Sequence, residues 1–177
     1  MAVDRTWTSP AAAGDLDLDT GEVVTEAIWD KVISNLGHLG GASGTIGVHA
    51  YHDAAQSIAT ATETALAFNS ERFDTDGIHD TAVNNSRLTC VTPGKYLVIG
   101  KAAFAAHATG YRLLRVRLGG ATFVAAASSV GDAAVIRYLD VSTVYEFAAG
   151  NYIELMATHT SGAPLNIELA EFMMAKV

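Results

Sequence analysis

A tight reversal between two alternating stretches constrains this chain more than any other feature. Residues 87–104 read as a short strand from Arg87 to Val91, a turn at Pro93-Gly94, and a long strand from Lys95 onward. Proline fixes its own φ and glycine takes positive φ without a Cβ penalty, so the pair turns a chain sharply between strands. Beyond the turn, Tyr96, Val98, Gly100, Ala102 and Phe104 share one face, and Leu97, Ile99, Lys101 and Ala103 the other. A period of two of this kind places the bulky side chains of one face in a core.

The rest of the second half follows suit. Strands are expected at 60–68, 111–118, 121–128, 133–141, 142–147, 152–159 and 165–176, with Gly119-Gly120 as one of the turns. Short strands at regular spacing indicate an antiparallel sandwich or jelly roll. In the last strand, Leu165, Ile167 and Leu169 alternate with Asn166 and Glu168, and the apolar parity then moves to Ala170, Phe172 and Met174. A bulge, or a second buried surface along a trimer axis, accounts for such a shift.

The first 46 residues are built differently. Residues 1–22 carry Pro10, an alanine triplet and an alternating Asp-Leu run, too little apolar surface to order alone. A helix is predicted over 25–36, capped by Thr25 and ended by Gly37. Its apolar face is Ile28, Trp29, Val32, Ile33 and Leu36, which needs a surface to bury against. Residues 37–47 hold five glycines and read as a linker, giving an arm at 1–46 and a head at 47–177.

Charge narrows the partners. The net charge is −8, and residues 1–50 hold seven acidic against two basic side chains. A phosphate-binding surface needs the opposite sign, so nucleic acid is not an expected partner. No apolar run reaches the ~18 residues of a membrane span, and no signal peptide is visible, which predicts a soluble protein made in a cytoplasm. The single cysteine, Cys90, lies in a β-patterned stretch and reads as a buried, inert thiol.

Candidate chemistry is sparse. His49, His52 and Asp53 offer metal-ligand types, but on a strand positions 49 and 52 point to opposite faces. Asp74, Asp76, Gly77, His79 and Asp80 resemble a calcium loop, yet lack its full oxygen spacing and also suit an ordinary turn. Glu168 and Glu171 could form a carboxylate pair only if the fold set them across a cleft. No nucleophile elbow, phosphate loop or dinucleotide motif occurs. No enzyme activity, cofactor or metal is therefore expected. Arg112, Arg115 and Arg117 form the one basic cluster; Arg115 and Arg117 share a face, either solvated or paired with a neighbouring subunit.

Two resemblances complete the reading. Residues 86–98, SRLTCVTPGKYLV, resemble the central hairpin of the complement one-q/tumour necrosis factor superfamily of trimeric jelly rolls. Residues 141–155, VSTVYEFAAGNYIEL, are similar to its later strand-turn-strand, with Asn151 where the family usually has Asp, and Phe172 stands at its near-terminal Phe. The resemblance implies a homotrimer, with Tyr96, Phe104, Tyr152 and Phe172 at core or trimer positions. The opening, with Trp7-Thr8, GEVVTEAIWD and the following helix, resembles the start of bacteriophage virion proteins, with Trp29-Asp30 for the usual Trp-Asn. It implies attachment through Trp7, Ile28, Trp29, Val32, Ile33 and Leu36 to other virion proteins of the capsid or tail. The expected function is capsid decoration or a short head fibre. The alternatives are a tail protein recognising a host surface glycan or protein, a signalling-type ligand, and a cell-wall hydrolase.

Overall fold

A computed structural model describes residues 46–177, and the predicted helix at 25–36, Trp7 and the other arm positions lie outside them. The described chain forms β1 (Gly47–Tyr51), β2 (Gln56–Ile58), β3 (Thr64–Ala65), β4 (Ser70–Asp74), β5 (Arg87–Thr89) and β6 (Gly94–Phe104). It continues through β7 (His107–Leu118), β8 (Thr122–Asp132), β9 (Arg137–Phe147), β10 (Tyr152–His159) and β11 (Leu165–Lys176), with no helix among the described residues. One sheet runs β4-β1-β11-β6-β9, with β2 also on β11. The other runs β3-β10-β7-β8, with β5 also on β10. From β4 on, the chain passes repeatedly from one sheet to the other, and every pairing is antiparallel.

The alternation after the Pro-Gly turn sets the core. Tyr96, Val98, Ala102 and Phe104 are fully buried between the sheets, together with Phe172, Met174, Leu114 and Leu155. Phe68 packs on Phe172 with ring centroids 5.8 Å apart, and Tyr96 meets Phe147 edge-on at 6.0 Å. Each such ring contributes about 2 kcal/mol by leaving water. Tyr96 also ties down the turn, its hydroxyl donating to the Thr92 carbonyl at 2.5 Å; burial pushes its pKa up to about 12. Cys90 is buried beside it and its thiol donates to the same carbonyl at 3.2 Å.

Gly100 sits on the core face at the middle of β6. A Cβ there would press into the Leu155 side chain of the opposite sheet and lie 3.2 Å from Val141 Cγ1. The sheets close on each other because that position has no side chain.

Two expectations change in detail, and a third resolves to one of its two alternatives. The strand expected over 60–68 shrinks to Thr64–Ala65, because Ala61 has φ 57° and breaks the extended run. Leu66 and Phe68 still bury, their amides donating to the carbonyls of Leu155 and Asn85. The two strands expected over 133–147 are one, Arg137–Phe147, paired without interruption to β6 from Gly94 to Phe104. The parity change in β11 is a bulge: Ile167 pairs with Phe104 and Leu169 with Ala103, leaving Glu168 as the extra residue.

Candidate assembly face and flanking sites

The outward face of the six-stranded sheet is layered. Read across the strands, one row is Phe73, His49, Met173, Ile99 and Ser142. The next is Gly47, Ala175, Leu97 and Val144, and a third is Leu169, Ala103 and Tyr138. Tyr138 is 68 % exposed, Val144 59 % and Phe73 51 %. Between the apolar rows lies a charged one, Tyr51, Glu171, Lys101 and Asp140. Arg72 adds a cation to it, 3.3 Å from Glu171 and 4.9 Å above the Tyr51 ring. The row thus holds two acids and two bases, so it carries no net charge into any contact that covers it.

The residues flagged for metal chemistry disperse. His49 lies on this outward face, edge-on to Phe73 and 3.6 Å from Glu171; burial holds its pKa below the ordinary histidine value. His52 follows the end of β1, its backbone amide donating to Ala170, and Asp53 accepts from the Asn69 amide at 2.6 Å. In the calcium-like loop the carboxylates serve the backbone. Asp74 accepts from the amides of Asp76 and His79 at 3.1 and 2.8 Å, and Asp76 from Thr92 at 3.1 Å. Asp80 accepts from Ala82 and Val83 at 2.8 and 2.9 Å, which holds its pKa below the ordinary carboxylate value. The His79 ring is clamped between Glu71 Oε1 at 2.7 Å and the Asn85 carbonyl at 3.1 Å. Among the described residues no three His, Cys, Asp or Glu side chains converge on a metal position. Glu168 is exposed at the bulge while Glu171 is committed to its ion pairs, so the two do not act as a pair.

The arginines divide. Arg115 and Arg117 face outward from the five-stranded sheet as alternation requires, but their acids come from the same chain. Arg117 meets Glu154 at 2.8 Å and Glu63 at 3.7 Å, and Arg115 pairs with Glu63 and stacks 3.8 Å from the Phe123 centroid. Arg87 completes the cluster, 3.4 Å from Glu154 and 4.2 Å above the Tyr152 ring. Arg112 faces the other way and is fully buried. Its guanidinium donates to the carbonyls of His107, Thr109 and Tyr111 at 2.8 to 3.1 Å, filling the irregularity where β7 breaks register with β8. Gly131 permits this, since a Cβ there would meet the His107 carbonyl at 2.5 Å.

Tyr96, Phe104 and Phe172 lie between the sheets, whereas Tyr152 sits outside them beneath Arg87. The Arg87–Tyr152 stack, and the role of Glu63 and Glu154 as counter-ions, escaped the sequence reading, because each pairs residues far apart in the chain. A buried Ser161–His159 contact at 2.9 Å also appears, with His159 Nε2 tied to the Ile58 carbonyl at 3.1 Å. Both side chains are closed off from solvent, which makes it a packing feature.

No protein-family model matches the sequence, and no curated protein is similar to it. Among solved structures, the globular domain of zebrafish complement 1qA is similar at 15 % identity, covering 74 % of this chain and 95 % of that one, with a TM-score of 0.53. Murine APRIL at pH 5.0 is similar at 10 % identity over 74 % of this chain and 98 % of that one, with a TM-score of 0.56. The fold is a jelly roll of the complement 1q and tumour necrosis factor type.

Proposed function

We propose that this chain is a non-enzymatic structural protein of a bacteriophage virion, a homotrimeric capsid decoration or short head-fibre protein held by its arm at residues 1–46. The observation that carries the trimer is the layered outward face of the six-stranded sheet, where exposed Phe73, Val144, Tyr138 and Leu169 surround Met173, Ile99 and Leu97. An apolar face of this kind, crossed by one neutral charged row, marks an interaction surface. A ring needs two different complementary patches on one chain. The second is the β8–β9 corner, where Val130, Val135 and Ile136 are exposed. The virion assignment is supported by the opening segment, from Trp7 to Leu36, and its resemblance to phage structural proteins. Three tethered arms then act together, so that weak individual attachments become firm.

A second reading places the same trimer at the tail, recognising a host surface glycan or protein. Exposure of Tyr111 and Tyr145, at 44 % and 37 %, favours it, while the Ala- and Ser-rich β8 favours decoration. Light scattering of the full chain tests the trimer. Three copies are expected in solution, falling to one in Ile99→Glu; a native chain that runs as a monomer overturns the trimer. Immunogold labelling of the virus particles whose genome encodes the chain separates the sites. Label on the head supports decoration, label on the tail supports the second reading, and unlabelled particles end both.

A further inference from the structure

Between the β4–β5 loop and strands β5 and β10 lies a cavity of about 480 Å³, lined by Asp80, Val83, Asn84, Arg87, Thr89 and Tyr152 among others. Its volume is in the range of sites that hold small organic ligands. The loop wall is already fixed, by the carboxylate ties of Asp74, Asp76 and Asp80 and by the His79 clamp. Long ordered loops of this kind are commonly functional, and a wall in place needs no ordering when a ligand enters.

The chemistry of the cavity is that of a polar ligand offering a carboxylate to Arg87 and hydroxyls to Asp80, Thr89 and Asn84. Arg87 uses Nε on Glu154 and leaves both Nη groups without a hydrogen-bond partner among the described residues. The Thr89 hydroxyl and the Asn84 side chain are likewise free among them. The guanidinium carbon stands 4.2 Å over the Tyr152 ring centroid, a stack that restrains the side chain before any ligand arrives. Asp80 lines the cavity as well: its Oδ1 takes the Ala82 and Val83 amides, and its Oδ2 has no hydrogen-bond partner among the described residues and can accept from a ligand hydroxyl. The lining thus sets one guanidinium, Arg87, beside one carboxylate, Asp80.

We infer that this cavity binds an acidic sugar, a pyranose carrying a carboxylate. The carboxylate accepts two N–H bonds from the free edge of Arg87, the fork geometry that guanidinium recognises best. Ring hydroxyls exchange hydrogen bonds with Thr89 and Asn84, and the carbon-bearing face rests on Val83. The β5 and β10 walls belong to the five-stranded sheet, opposite the proposed assembly face, so trimer formation leaves the cavity open and triples it. The inference rests on neither the trimer nor the virion reading.

Saturation-transfer NMR on the full chain tests it, with D-glucuronate, N-acetylneuraminate, D-glucose and acetate as probes. Transfer to the two acidic sugars is expected, with glucose and acetate each weaker by about tenfold or more. Arg87→Ala is expected to weaken glucuronate by about tenfold or more; Glu154 keeps Arg117, so the sheet retains its ion pair. Val83→Trp, at the exposed rim, blocks the mouth and abolishes transfer while leaving the far-ultraviolet circular dichroism of the sheets in place. Acetate competing as well as glucuronate overturns the sugar, and glucose matching glucuronate overturns the charge. No transfer to any sugar, or full transfer in Val83→Trp, overturns the site itself. Each of these is read independently of the solution mass.

Discussion

At the scale of single residues, Arg112 does what its type seldom does. A fully buried guanidinium usually has an acid beside it, and here three carbonyl oxygens take that place. Arg112→Met removes the donors and leaves those carbonyls facing an apolar group, an expected loss of about 3 kcal/mol in urea unfolding. Arg115→Met, on the exposed side, is expected to lose less than about 1 kcal/mol. The sequence held the signal for this difference, since position 112 shares parity with Leu114 and Val116. Grouping the three arginines by charge hid it. Gly100→Val should cost about 2 kcal/mol or more by driving a side chain into Leu155. The histidines set a pH dependence. Burial lowers the pKa of His159, His52 and His49 below 6.5, so as pH falls the unfolded chain takes up protons first. Stability is full above pH 6.5 and declines below it, toward the lowered folded values. Urea midpoints are expected to be lower at about pH 5 than at about pH 7, and His159→Gln should flatten the slope.

At the scale of elements, the bulge in β11 decides which side chains reach the core. Ile167 and Ala170 both bury only because Glu168 adds a residue between them. Deleting Glu168 moves Ala170, Phe172 and Met174 to the solvent side or drags Leu165 and Ile167 out. An insoluble product, or one without a cooperative thermal transition, is expected. This feature was legible, because a change of apolar parity within one strand has few physical causes. The loop after β4 was less so. Asp, Asn and Gly in close succession serve a cation and a turn equally well, and only the fold shows their oxygens turned to backbone amides. The 60–68 segment misled for another reason. Its buried Leu66 and Phe68 gave a strand pattern, while their amides bond to single carbonyls outside a regular ladder.

At the scale of the whole molecule, the two faces divide the work. The six-stranded sheet presents an apolar face with a neutral charged row, and the five-stranded sheet presents its arginine–glutamate lattice and the cavity. The hairpin pattern was enough to place the sandwich and its core. The cavity was not legible, since Arg87 and Tyr152 meet only after β5 and β10 pair. Full chain and a variant lacking 1–46 are both expected to scatter as three copies, because the proposed contact lies in the head. The order β4-β1-β11 has a last consequence, for display. Gly47 pairs with Ala175, so the chain enters and leaves the jelly roll side by side at one pole. A peptide appended after Val177 therefore emerges beside Gly47, where the chain enters the head. Cargo meant for the far pole interrupts the chain instead, in the β10–β11 turn, where residues 162–164 are exposed and lie outside both proposed contact patches.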